Sequence, residues 1–313
     1  MSEDGGRWPD FFIVGAPKCG TTSLYAVLKS HPAVFFPENK EPMFFNTDLS
    51  HPHAVRSENI YNELFSRARP DQVCGDASTL YLSSLVAPGA IRQRLPDAKI
   101  IILIRDPVEQ MYSWYRHLKY WGYENAPSFS DAISLQRERR EGHKLPIGNI
   151  CHDWLQYEEM ASFSRQIDRY RGTFPESQLG VWLLEDLKEV PNETLVDIAS
   201  FLGLDSILVS EHCVPEKNTN KALRFPVLKR SLQVMRAYPG IRAFLKATMP
   251  VSVRKKLLLG INKIGTRKEK APPISPELRL ALRHRMMSEV RRLSEIVGQD
   301  LPVRWGWEGD TNR

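Results

Sequence analysis

Apolar residues come in short unbroken runs, separated by polar stretches rich in turn residues. Phe11 to Val14, Ala33 to Phe36 and Ile100 to Ile104 are four or five residues long and apolar throughout, and LGVWLLEDL (179–187) reads as a further buried strand. Runs of this length without alternation predict strands buried on both faces, as in a parallel sheet. Between them the apolar spacing changes to three and four. Leu24, Val27 and Leu28 predict a helix after the first strand, and helices are also predicted over 153–173, in NETLVDIASFLGLD and over 276–297. Residues 51–72 read as a polar helix and loop, and 73–84 as a strand end and turn. Strands alternating with helices predict an α/β fold: a P-loop-type parallel sheet flanked by helices, with a helical C-terminal portion. Pro272, Pro273 and Pro276 mark a break before the last helix. The chain of 313 residues is expected to form one domain, with a core over about 9–210 and a covering loop and helical region over about 211–313.

Two of these junctions carry candidate chemistry. After the first strand, Gly15, Pro17 and Gly20 force a tight turn, and Thr21, Thr22 and Ser23 open the helix. A loop of this kind aims backbone N–H groups at one spot beside the positive end of a helix dipole, which attracts phosphate. A nucleotide triphosphatase loop needs GxxxxGK[ST]. Here Thr21 follows Gly20, and the lysine is Lys18, two residues earlier. The plain alternative is an ordinary strand-turn-helix with a surface lysine. At the second junction, Arg105 ends the run 100–104, and strand C-terminal ends are where ligands bind in open α/β sheets. Asp106 and Pro107 supply an N-cap and first position for the next helix, and Ser113 follows eight residues after Arg105.

The pattern PKCGTTSL resembles the 5′-phosphosulfate loop of sulfotransferases that use 3′-phosphoadenosine 5′-phosphosulfate (PAPS), and Arg105 with Ser113 resembles their 3′-phosphate-binding motif. The resemblance implies that Lys18, Cys19, Gly20, Thr21, Thr22, Ser23, Arg105 and Ser113 bind the nucleotide, with Lys18 also catalytic. KEPMFF resembles the KEPHFF or NEVHFF element of carbohydrate sulfotransferases, in which the glutamate, here Glu41, is the proposed general base. Chemistry agrees with that role: a neutral hydroxyl is a poor nucleophile, and a carboxylate in reach can take its proton. Pro42, Met43 and two phenylalanines beside Glu41 are expected to wall it in, which would strengthen it as a base. VCGDASTLYLSS resembles the family's G[DE]xSPxY element. Where heparan-type members place a catalytic lysine this chain has Ala77, and Thr79 replaces the proline, so Asp76, Ser78 and Tyr81 remain. Asp76 is a second candidate acid, base or acceptor anchor, its carboxyl held low by turn donors; the alternative is a turn aspartate. KNTNKALRFPVLKR (217–230) lies where such enzymes close a basic loop over the nucleotide, which brings in Asn218, Lys221 and Arg224. FPESQLG…EDL and the closing LPVRWGW also resemble family signatures, with structural roles. The chain is similar to the carbohydrate or heparan-type branch, as a soluble, bacterial-like member.

Composition refines this picture. The net charge is +6, suiting anionic ligands. Much of the excess lies in 225–270, including VRKKLLLGINKIGTRKEK, which reads as a solvated helical subdomain or as a surface for an anionic acceptor or membrane. SLQRERREGHK (134–144) reads as a solvated face, with a lid or acceptor-binding segment as the alternative. Cys19, Cys74, Cys151 and Cys213 lie far apart, which suits a reducing compartment better than a disulfide framework or zinc site. The polar start MSEDGGRW is no signal peptide, and no apolar run reaches the length of about 18 residues that spans a bilayer. A cytoplasmic sulfotransferase is expected, with PAPS as co-substrate, no metal, no nucleic acid partner, and a hydroxyl-bearing small-molecule, glycan or glycolipid acceptor. A kinase using ATP and Mg²⁺ is the rival enzyme, and a non-catalytic nucleotide-binding protein the rival of another class.

Overall fold

The computed structural model describes residues 6–51, 53–147, 151–205, 221–223, 266–268 and 272–307. The chain divides into two compact units that do not follow chain order. The first comprises Met1–Met111, Glu158–Lys217 and Arg279–Arg313; the second comprises Tyr112–Tyr157 and Asn218–Leu278.

The first unit is built on five parallel strands, β1 (Phe11–Gly15), β2 (Val34–Phe35), β3 (Val73–Asp76), β4 (Lys99–Ile104) and β5 (Leu179–Leu183), in the order β2-β3-β1-β4-β5. The apolar runs account for the central strands. Every residue of β1 and Ile100 to Ile104 of β4 is buried, which a strand covered on both faces requires. Helices follow the strands: α1 (Thr21–Ser30), α2 (Glu58–Glu63), α3 (Ala87–Arg94), α4 (Pro107–Trp121), α5 (Phe129–Ser134), α6 (Gln136–Arg140), α7 (Tyr157–Met160), α8 (Phe163–Arg171), α9 (Leu184–Glu189), α10 (Pro191–Leu202), α11 (Pro276–Val297) and α12 (Leu301–Arg304). The last long helix has the bounds that its spacing predicts. It belongs with the sheet from Arg279 onward, burying Leu282, Met286, Val290, Leu293 and Ile296 along one stripe.

One irregularity matters for the site. Phe11, Phe12 and Ile13 pair in step with Lys99, Ile100 and Ile101, but Gly15 pairs with Ile102, so Val14 is bulged out of the ladder. Its carbonyl accepts instead from Leu82 N at 2.8 Å, while Ala16 N donates to Leu103 O at 2.7 Å. The bulge turns the strand end into the loop that follows. Gly15 is needed there, since a Cβ would lie 2.5 Å from the Leu82 Cβ.

In the second unit the run 134–144 is largely exposed, as its charge suggests, with one exception. It spans the end of α5 and all of α6, and Arg139 is fully buried. Arg139 donates through both terminal nitrogens to the buried carboxylate of Glu124, each at 2.6 Å, and Tyr157 donates to the same carboxylate. A bidentate partner makes this burial tolerable. Two strands, β6 (Lys221–Leu223) and β7 (Thr266–Lys268), pair antiparallel. The remainder of the basic stretch 225–270 lies outside the described residues. Among the described residues no helix is long and apolar enough to cross a membrane, and no cluster of three metal-ligating side chains occurs.

Candidate active site

The C-terminal ends of β1, β3, β4 and β5 contribute the chemistry of the first unit. The loop after β1 is folded on itself: Cys19 N donates to Ala16 O at 3.2 Å, and Gln110 Nε2 reaches in from α4 to Pro17 O at 3.1 Å. Lys18 and Gly20 both have positive φ, at 69° and 88°. Gly20 is the N-cap of α1 and brings no side chain to its first N–H groups. Ser23 N donates to Gly20 O at 2.9 Å, and no side chain caps the amides before it, which suits the turn to an outside anion. A Cβ on Gly20 would also stand 2.5 Å from Leu184 Cδ1, at the start of α9.

Three cations gather at this loop. Lys18 is half-buried on it, and burial, followed by the charges of Lys40 and Arg105, pushes its ammonium below the ordinary 10.5. Arg105, at the end of β4, directs Nη1 to the Lys18 carbonyl at 3.4 Å and lies 3.9 Å from Glu109. Glu109 in turn pairs with Arg279 of α11 at 2.7 Å. Asp106 caps α4, accepting from Val108 N at 2.7 Å and Glu109 N at 3.2 Å. Its other oxygen accepts from the buried indole of Trp307 at 2.9 Å. Arg105 is therefore set by a strand on one side and a capped helix on the other. Cys19 is fully buried and its thiol is pushed up by that burial, so its side chain is a packing element of the loop. Thr21 and Ser23 are buried in the first turn, whereas Thr22 is exposed.

Glu41 stands within the electrostatic reach of Lys18. The carboxylate is half-exposed, with Lys40 Nζ at 3.4 Å and Thr79 Oγ1 at 3.5 Å beside it. Lys40 also donates to Thr22 Oγ1 at 3.1 Å. Sequence reasoning passed over Lys40; its only signal was adjacency to Glu41. Glu185, the second residue of α9, was also missed. Burial raises its carboxyl and the Arg105 charge opposes that rise.

Asp76 differs from expectation. It is completely buried at the end of β3, accepting from Ser78 Oγ at 2.6 Å, Tyr61 Oη at 2.7 Å and Tyr81 Oη at 2.9 Å. Burial pushes its carboxyl up to about 6, outweighing those hydroxyl donors, so the low value expected of a turn aspartate does not hold. Its partners hold the chain around Glu41: Ser78 Oγ accepts from Met43 N at 2.9 Å, and Tyr81 Oη accepts from Phe44 N at 2.8 Å and from Phe45 N at 3.4 Å. Asp76 thus braces the segment that carries Glu41, and its own carboxylate faces no solvent.

Ser113 lies on the part of α4 that belongs to the second unit, and Arg105 belongs to the first. Lys221 opens β6. Asn218 and Arg224 lie outside the described residues.

Comparison with known proteins identifies the family. A sulfotransferase domain model matches residues 8–236. The structure is similar to a sulfotransferase from Alicyclobacillus acidocaldarius, with 25% identity and a TM-score of 0.68 over 95% of this chain and 98% of that one. The human bifunctional heparan sulfate N-deacetylase/N-sulfotransferases 3 and 2 are each 29% identical, over 231 and 229 residues. Those matches take in 70% of this chain and 24% of each relative, so the chain spans about a quarter of the length of these curated relatives. With the domain model extending over most of the chain and the loop, strand order and strand-end cations all in place, the chain belongs to the PAPS-dependent sulfotransferase family.

Proposed function

We propose that this protein transfers a sulfonate from PAPS to a hydroxyl or amine of a carbohydrate-type acceptor, with Glu41 as general base. The observation that carries the reading is the convergence of Lys18, Lys40, Arg105 and Glu41 on a glycine loop whose helix cap has no side chain. The loop amides and Lys18 would hold the 5′-phosphosulfate, and Arg105 with Ser113 the 3′-phosphate; Asn218, Lys221 and Arg224 are proposed as further nucleotide ligands. Bound PAPS supplies the sulfonate and a phosphate leaving group. Glu41 takes the proton of the acceptor as the new bond to sulfur forms. Lys18 places positive charge where the bridging oxygen gains negative charge, and its depressed ammonium suits it to give that oxygen a proton. The names of the curated relatives favour a glycan acceptor, and "N-sulfotransferase" adds an amine to the hydroxyls that KEPMFF suggests. The buried free thiols of Cys19, Cys74 and Cys151 suit the reducing cytoplasm.

Thermal unfolding with nucleotides tests the donor. Saturating 3′-phosphoadenosine 5′-phosphate (PAP) should raise the melting temperature, by about 2.7 kcal/mol of stabilisation at a hundredfold excess over Kd. Adenosine 5′-phosphosulfate, which lacks the 3′-phosphate, and ATP with Mg²⁺ should shift it far less. An equal shift from ATP with Mg²⁺ would move the protein to the kinases. Radiolabelled PAPS offered with amine-bearing and hydroxyl-bearing glycan oligosaccharides then identifies the acceptor class.

A further inference from the structure

Lys40 is tied to both halves of the site. Its Nζ donates at 3.1 Å to Oγ1 of Thr22, the exposed residue in the first turn of the helix whose N-terminus forms the anion cradle. It donates also to Glu41 Oε1 at 3.4 Å. The ring of Tyr25 lies 5.6 Å from the same ammonium, and the side chain is 22% exposed, so the cation is held in place with one face open. An ammonium has three N–H donors, and among the described residues Thr22 and Glu41 take two.

We propose that Lys40 is a ligand of the sulfonate itself, gripping its oxygens while Lys18 serves the bridging oxygen. The inference rests on reading the loop 15–20 as the phosphosulfate cradle. The reacting sulfur must sit between that cradle and the group that deprotonates the acceptor, and Lys40 is the side chain whose hydrogen bonds reach toward both. Arg105 already faces Glu109 and Glu185, but Lys18 and Lys40 meet Glu41 alone among the carboxylates named at the loop, and a phosphosulfate carries a second negative group beyond the phosphate. A role confined to orienting Glu41 would use one of these contacts and leave the bond to Thr22 without purpose.

PAPS and PAP differ by the sulfonate alone, so their affinities for the full-length protein separate the two lysines without an acceptor. Calorimetric titration of wild type, Lys40→Met, Lys40→Arg and Lys18→Ala is the experiment. Lys40→Met should weaken PAPS about tenfold, the worth of one charge-assisted hydrogen bond, and PAP less than about twofold; Lys40→Arg should restore PAPS binding. Lys40→Gln repeats the comparison should the methionine variant unfold. A ratio of PAPS to PAP affinity that stays at the wild-type value in both Lys40→Met and Lys40→Gln overturns the assignment while leaving the donor reading intact. A wild-type protein that binds PAP no better than ADP removes the donor reading, and the role of Lys40 with it.

Discussion

Replacing Asp76 by asparagine isolates the titration of one buried carboxyl. In the folded protein that carboxyl sits at about 6, above its ordinary 3.8, because burial penalises the ionised form. The folded state therefore holds the proton more tightly than the unfolded chain does. The stability this contributes is complete below pH 3.8 and is lost as pH climbs through 6. A displacement of that size is worth roughly 3 kcal/mol. Asparagine has the same shape and does not titrate. It can keep an oxygen toward Ser78, but its amide then replaces Oδ2, which accepts from both Tyr61 and Tyr81. The Tyr81 oxygen already accepts from Phe44 N and Phe45 N, so its O–H is left unpaired at a cost of about 1–3 kcal/mol. At about pH 4 the variant should be less stable than wild type by that amount; by about pH 7.5 the gap should have shrunk by roughly 3 kcal/mol, closing or reversing. Urea denaturation of both proteins across this range is the assay, because every other titrating group contributes equally to the two curves. Parallel curves would refute the reasoning, since they would show that Asp76 ionises alike in the folded and unfolded chains.

Two further predictions concern the site and its support. Glu41→Gln should fold and bind PAP as wild type does, while turnover with the acceptor found by screening falls about 10²–10⁴-fold; undiminished turnover would remove Glu41 as base. Arg139→Met leaves the Glu124 carboxylate buried with Tyr157 but without its cation, and should cost about 3–5 kcal/mol by chemical denaturation, where a solvated arginine would cost almost nothing.

The sheet was legible because burial on both faces needs consecutive apolar residues, and FFIV and IIILI advertise it in any window. The loop was legible for a related reason, in that a positive-φ cap beside a packed leucine admits only glycine, and Gly20 marks it. What stayed hidden depends on partners that chain position does not announce. Arg139 stands in a charged run that looks solvated, and what buries it is Glu124, fifteen residues away. Asp76 looks like a turn aspartate until Tyr61, Ser78 and Tyr81 close over it. Lys40 looks like any exposed lysine until α1 places Thr22 beside it. Polar groups take their character from three-dimensional neighbours, whereas apolar runs carry theirs along the chain.

The bond from Trp307 to Asp106 gives the protein an order of assembly. Asp106 caps the helix that follows Arg105, and its second oxygen waits for an indole made 201 residues later. At about 5–20 residues per second, that interval is roughly 10–40 s of synthesis. Through it the strand bearing Arg105 can already pair with its neighbours, because β1 and β3 precede it and β5 comes well before the end. A nascent chain can thus pair the strands of its sheet while the Asp106 cap beside Arg105 still lacks the indole that completes it.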